Sequence, residues 1–117
     1  QKAVFELSDE LMDLSSRARD KILKPNELKG GTFTISSLGG IGGTGFSPIV
    51  NPPEVAIMGV SRSAWKEVYD KVSREFVAKF IMPFSLSYDH RVIDGAAAAA
   101  FTSRFADVLS DLDHFKD

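Results

Sequence analysis

The sequence predicts an α/β fold of two layers, a mixed sheet with flanking helices. Three observations point to it. Residues 4–23 and 95–112 place apolar residues at three- and four-residue steps, the period of an amphipathic helix. Between them, residues 32–36, 55–60 and 76–88 are rich in β-branched or aromatic residues and read as strands. Punctuation by glycine and proline separates these segments, as connections between packed elements require.

The first helix carries Val4, Leu7, Leu11, Leu14 and Ala18 on one face. Ser8 is placed to cap an internal start, with Asp9 and Glu10 in a favourable first turn. Arg17, Arg19, Lys21 and Lys24 lie toward the end that favours cations, and Pro25 stops the helix by Lys24. Residues 26–31 form a loop or single turn. Thr32 to Ser36 alternates polar and apolar residues, the pattern of a half-buried strand. Val55 to Val60 is a continuous apolar run and predicts a buried strand. Ser63 to Lys71 reads as helix or as a hairpin connection. Phe76 to Tyr88 reads as one strand of the mixed sheet, with Pro83 marking a bulge or an edge. The last helix has an inner face of Ala97, Phe101, Phe105, Val108 and Leu112, with Asp94 as its N-cap. The alanines from Ala96 to Ala100 give it a small-residue surface that another element can approach closely.

Composition removes several function classes. With 117 residues, 44% hydrophobic and 26% charged, the chain is of single-domain size and of ordinary globular composition. Its 14 basic and 16 acidic residues leave a net charge of −2, so no basic block offers itself to nucleic acid. It has no cysteine, which excludes disulfides, thiolate metal sites and a cysteine nucleophile. No apolar run approaches the ~20 residues of a membrane span, so no membrane partner is expected. A metal site is not expected either, since His90 has no second histidine nearby and His114 lies in a polar terminal segment.

Three motifs can carry chemistry. Gly40 to Gly45 matches Gly-x-Gly-x-x-Gly after a predicted strand. A dinucleotide site also needs a helix to start there, and Phe46-Ser47-Pro48 through Pro52-Pro53 forbids one. The loop therefore reads as backbone that bends or packs closely against another chain or a ligand. The second motif is Tyr88-Asp89-His90-Arg91-Val92-Ile93-Asp94-Gly95, a strand end, a turn and a helix start. A histidine here can act as general base because imidazole titrates near ~6.5. It can equally be a histidine that only completes the turn. The third is Ser36-Ser37, whose hydroxyls can donate into a cleft or can be simple strand-end polarity.

Together these stretches resemble the catalytic domain of the dihydrolipoamide acyltransferases, the core component of 2-oxo acid dehydrogenase complexes. The similarity lies in Gly-Gly-Thr-Phe-Thr-Ile-Ser-Ser-Leu-Gly at 30–39, Ile-Gly-Gly-Thr-Gly-Phe-Ser-Pro-Ile-Val-Asn-Pro-Pro-Glu-Val-Ala-Ile at 41–57, and Ser-Leu-Ser-Tyr-Asp-His-Arg-Val-Ile-Asp-Gly at 85–95. The His-x-x-x-Asp-Gly signature is shared with chloramphenicol acetyltransferase, so the resemblance implies the C-terminal half of a chloramphenicol-acetyltransferase-like fold. The 36–44 segment is most similar to the acetyltransferases of the pyruvate complex. The resemblance implies an acyl transfer between dihydrolipoamide and coenzyme A, both substrates, with no tightly bound cofactor in this segment and the lipoyl group on a separate domain. It implies His90 as the base that deprotonates the attacking thiol and Ser36 as a donor to the oxyanion. Asp94 is then the acidic residue of the catalytic signature, holding local geometry by charge pairing and hydrogen bonding rather than acting as a second base, and a plain N-cap role fits it equally well. Its arginine partner is expected from a preceding half of the domain.

The resemblance further implies a trimer-based homo-oligomer whose sites lie between adjacent chains, and other dehydrogenase-complex components as partners. Residues 1–117 would then be a partial catalytic domain without lipoyl or subunit-binding domains. Its location would be the cytoplasm in a bacterium or the mitochondrial matrix in a eukaryote. Two further readings stay open: an inactive assembly module of such an enzyme, and branched-chain or other acyl specificity. Either way, a half-domain should associate with other chains or expose apolar surface.

Overall fold

A computed structural model describes residues 1–116; Asp117 of the expected 1–117 span lies outside the described residues. The element order is α1 (Val4–Arg19), β1 (Thr34–Ser37), β2 (Ala56–Val60), β3 (Ala64–Asp70), β4 (Glu75–Ile81), β5 (Phe84–Tyr88) and α2 (Gly95–Ser110). Short 3₁₀ turns occupy Pro25–Leu28 and Leu112–Phe115. The chain divides into two units, one of Thr32–Ala100 and one of Gln1–Gly31 with the chain from Phe101 onward. The α/β class and the mixed sheet are as the sequence predicts. No helix among the described residues is long and apolar enough to cross a membrane.

In the Thr32–Ala100 unit the apolar run of β2 becomes the central strand of a three-stranded sheet ordered β1-β2-β5. β1 runs parallel to β2, from Thr34 opposite Ile57 to Ser37 opposite Val60. β5 runs antiparallel to it, from Ala56 opposite Tyr88 to Val60 opposite Phe84. The buried core lies on β2: Ala56, Ile57 and Met58 are buried, Met58 to 2% exposure. A strand covered on both faces needs no polar alternation, and this one, buried at successive residues, shows none.

Gly59 holds this core together in a way its neighbours do not announce. A Cβ placed there would lie 2.8 Å from Phe46 Cζ and 2.9 Å from Ser85 Oγ. Only a bare backbone lets Phe46 lie over the central strand, while Ser85 Oγ donates to the Phe46 carbonyl at 2.5 Å. Gly59→Ala is therefore expected to cost about 1–3 kcal/mol by overpacking, although alanine suits strands better than glycine elsewhere. A lowered urea midpoint checks this, and an unchanged midpoint contradicts it. Around Gly40, Gly42, Gly43 and Gly45 the chain leaves open space. Among the described residues nothing packs against these loop glycines; Gly42 and Gly43 supply positive φ angles of 136° and 91°, and the close approach at Gly59 is a separate feature.

Several expectations are corrected. Phe76 to Tyr88 is not one strand: it breaks at Met82-Pro83 into β4 and β5, which lie in different sheets. Pro83 has no amide to continue a ladder, but its carbonyl still accepts from Ser61 N at 3.0 Å. Of the two readings for Ser63 to Lys71 the structure rejects the helix; the segment belongs to a hairpin, though as strand β3 itself, paired with β4, rather than as its connection. Cross-strand pairs Trp65–Phe80 and Tyr69–Phe76 explain the pairing, with ring centroids 5.3 Å and 5.5 Å apart. All four rings are exposed, Trp65 to 71%. The first predicted strand forms at Thr34–Ser37 with its alternation inverted: Thr34 and Ser36 are half-buried and Ile35 is 65% exposed. β1 is an edge strand, and the face carrying Ile35 is uncovered in this chain. The expected exposure of apolar surface is therefore present.

In the other unit, α1 starts at Val4 rather than at a cap on Ser8; Glu6 instead reaches back to accept from Ala3 N at 2.9 Å. It ends at Arg19, before the expected Leu23. Lys21 adopts φ 57°, Ile22 N donates to Arg17 O, and Lys21 N donates to Ala18 O. That is a Schellman ending with lysine in the left-handed position glycine usually takes. Arg17 then pairs with Asp13 at 2.8 Å and with Glu27 at 2.6 Å, tying the Pro25–Leu28 turn back to the helix. Val4, Leu7 and Leu11 of the apolar face stay exposed. α2 ends at Ser110, and its covered positions are Ala98, Thr102, Phe105 and Val108. The expected face is thus shifted at its start, from Ala97 and Phe101 to Ala98 and Thr102, and Leu112 lies beyond the helix.

Candidate functional site

β5 delivers the chain to a tight turn and α2 carries it away, with His90 between them. The turn is closed by the Asp89 carbonyl, which accepts from Val92 N and Ile93 N, both at 3.0 Å. Asp89 N donates to Val55 O at 2.8 Å and anchors the turn to the chain entering β2. α2 begins under Asp94, whose Oδ1 accepts from Ala97 N at 2.8 Å, while its carbonyl accepts from Ala98 N at 3.1 Å. The expected N-cap is therefore present: the carboxylate satisfies a free amide of the first turn and faces the positive end of the helix.

His90 is exposed, with its imidazole ring 5.7 Å from the Tyr88 ring at an interplanar angle of 36°. Among the described residues no hydrogen bond engages the imidazole, so both nitrogens are open to a substrate. Beside it, Asp89 and Arg91 form a fork. Arg91 Nη2 donates to Asp89 Oδ2 at 2.7 Å and Arg91 Nε to Asp89 Oδ1 at 3.0 Å, while Arg91 N donates to the same Oδ1 at 3.0 Å. The guanidinium, and then the Arg91 amide, hold the Asp89 carboxyl down to about 2. The pair contributes stability above the ordinary carboxylate range and loses it as pH falls through about 2, so the fork is intact at any working pH. Sequence reasoning passed over these two residues. Their signal was an aspartate two positions before an arginine, the spacing of a side chain that closes its own turn.

Ser36 sits on β1, half-buried, opposite Gly59 of β2. Its hydroxyl has no side-chain partner among the described residues. Ser37 points the other way and accepts from Gly39 N at 3.4 Å. Two residues before Ser36, on the same face of β1, Thr34 Oγ1 donates to Glu54 Oε2 and ties β1 to the segment before β2.

The sheet does not bring Ser36 and His90 together. Ser36 is level with Gly59, whereas Tyr88 is level with Ala56, three residues back along β2 and one strand beyond it. At ~3.3 Å per residue and ~4.8 Å per strand, Ser36 and Tyr88 are about 14 Å apart, and the chain to His90 runs further away. The two groups stand at opposite ends of the sheet. A cleft of about 350 Å³ borders the His90 turn, lined by Val50, Pro52, Pro53, Glu54, Asp89 and Arg91. No group of three or more metal-ligating side chains is placed to hold an ion among the described residues.

Residues 1–115 match the sequence model of the 2-oxoacid dehydrogenases acyltransferase catalytic domain. The chain belongs to that family. It is 53% identical over 111 residues to the dihydrolipoyllysine-residue acetyltransferase component of the pyruvate dehydrogenase complex of Cupriavidus necator, covering 95% of this chain and 20% of the relative. The same component from Haemophilus influenzae is 54% identical over 112 residues, covering 96% and 19%. Among solved structures, the dihydrolipoamide acetyltransferase of Azotobacter vinelandii superposes with a TM-score of 0.93 at 51% identity, covering 98% of this chain and 46% of that one. That work concerns the roles of a serine, a histidine and an asparagine in its catalytic mechanism. The cubic core of a pyruvate dehydrogenase multienzyme complex also gives a TM-score of 0.93, at 50% identity and the same coverages. This family domain thus spans about a fifth of those two curated relatives and just under half of the two solved chains.

Proposed function

We propose that the chain carries the base and the oxyanion donor of an acyltransferase that moves an acetyl group between dihydrolipoamide and coenzyme A. The observation that carries this reading is the unengaged imidazole of His90 on a turn anchored at both ends, in a chain of this family. His90 takes the proton of the attacking coenzyme A thiol as the sulfur bonds to the thioester carbon. Ser36 donates to the oxygen that becomes negative. Collapse breaks the bond to the lipoamide sulfur, which leaves with the proton that His90 returns. A free thiol of pKa near ~8.5 is only a few per cent ionised at neutral pH, so a positioned base raises the reactive fraction.

The reading places Ser36 and His90 of each active site on different chains. Their positions at opposite ends of one sheet support this, as does the likeness to a cubic core. A trimer-based assembly lets one chain's Ser36 meet its neighbour's His90. It also gives the exposed aromatic face of the hairpin and the uncovered face of β1 something to cover them, be it a neighbour or the rest of the domain. Coenzyme A and the lipoyl group, brought by a separate domain, enter as substrates, and the other components of the dehydrogenase complex are the expected partners.

Asp94 belongs to this reading as a structural residue. In the A. vinelandii enzyme the histidine and the asparagine are four positions apart, the spacing of His90 and Asp94 here. Asparagine accepts an N-cap hydrogen bond as well as aspartate does but cannot take up a proton as a base. Asp94→Asn is therefore expected to keep kcat within about threefold, while Asp94→Ala loses the cap and about 1 kcal/mol of stability. Steady-state acetyl transfer and thermal melting of the two variants check this. A large loss of kcat in Asp94→Asn with an unchanged melt would make the charge itself part of catalysis.

A further inference from the structure

We propose that Asp89 is a positioning residue, which sets the imidazole of His90 by holding the residues on both sides of it. The inference rests on His90 being the base, and goes beyond that in saying what aims it. Among the described residues Asp89 makes the hydrogen bonds that close the turn ahead of Asp94. Its amide donates to Val55 O, its carbonyl accepts from Val92 N and Ile93 N, and its carboxylate accepts from Arg91 N and from the Arg91 guanidinium. His90 itself makes no hydrogen bond among the described residues, so its orientation comes from its neighbours. With residues 89 and 91 locked to each other, the peptide between them has little freedom left.

The two halves of the fork differ in a way that favours positioning over general stability. The Asp89 side chain is 22% exposed, whereas that of Arg91 is 89% exposed. An isolated exposed ion pair contributes little to stability. A bidentate pair with a fixed geometry does something else: it selects one arrangement of its ends. Here those ends flank the reacting side chain. The cost of losing the pair should therefore appear in the chemical step, where a misplacement of about 1 Å is worth up to a hundredfold, more than in the fold.

The test compares Asp89→Asn, Arg91→Gln, the double variant and His90→Ala in the complete enzyme that contains this chain. Asparagine keeps an acceptor for Arg91 N but loses the charged fork. The expected result is a fall in kcat of about 10- to 100-fold with both KM values within about twofold, and an unchanged melt and assembly. Arg91→Gln should reproduce it, and the double variant should be no slower than the worse single one, because both remove the same device. Arg91 keeps the test open if Asp89→Asn folds poorly, since its exposed side chain has little part in packing. A kcat within twofold of the parent in Arg91→Gln, or losses that multiply in the double variant, overturns the proposal while His90→Ala remains inactive. Activity retained by His90→Ala overturns the reading of the base, and the proposal with it.

Discussion

His90→Ala is expected to lower kcat for acetyl transfer by about 10²- to 10⁴-fold, the range a positioned general base supplies. The variant should bind both substrates nearly as well as the parent, because the imidazole contributes to the proton transfer rather than to holding coenzyme A or dihydrolipoamide. The fold should survive. His90 is exposed, its ring lies 5.7 Å from that of Tyr88, and the turn is held by Asp89 and Asp94 on either side. A loss of activity with an unchanged melt separates chemistry from structure here. Direct assay of acetyl transfer from acetyl-coenzyme A to dihydrolipoamide provides the measurement. Full activity in this variant would remove the base from the account.

Ser36→Ala is expected to lower kcat by about 10²- to 10³-fold, the worth of one preorganised oxyanion donor. The effect follows from what the serine does not do in the resting chain. Its hydroxyl has no side-chain partner among the described residues, so no existing bond must break before it donates to the developing charge. Removing it also leaves no buried group unpaired, and stability should change by less than about 0.5 kcal/mol. Ser37 offers the matching control: it lies on the opposite face of β1 and is occupied by Gly39 N. Loss from Ser37→Ala as large as from Ser36→Ala would point to a general effect on the strand.

Much of this site was legible in the residues. The N-cap by Asp94 follows from an aspartate placed before Gly95 and an alanine run, and the structure shows the bond that such a cap makes. The turn around His90 follows from a strand that ends and a helix that starts four residues later. β2 was legible because a short run without polar residues can be buried on both faces. The break of residues 76–88 at Pro83 was visible as punctuation, but not its consequence. A proline tells the chain to stop pairing; it does not say that the next strand joins another sheet. β3 was obscured because Trp65, Lys66, Glu67, Val68 and Tyr69 do not alternate cleanly: Glu67 shares a face with Trp65 and Tyr69, and that aromatic face is exposed. The inverted burial of β1 has the same origin: alternation gives two faces, and only the packing of other chain segments decides which one is covered. Gly59 was hidden inside an apolar run, since nothing local says that Phe46, thirteen residues earlier, lies across it.

The separation of Ser36 and His90 was not legible in any local pattern of residues. The resemblance implied sites between adjacent chains, and the register of β1, β2 and β5 adds the physical ground, setting Ser36 and the turn of His90 apart within one chain. That point is the centre of the account, and mixing tests it. His90→Ala chains and Ser36→Ala chains, each nearly inactive alone, are unfolded together in equal amounts and reassembled. If every active site takes its histidine from one chain and its serine from a neighbour, about one site in four regains both groups, and activity returns to about a quarter of the parent value. If the two groups act within one chain, no mixture contains an intact site, and activity stays at the level of the separate variants.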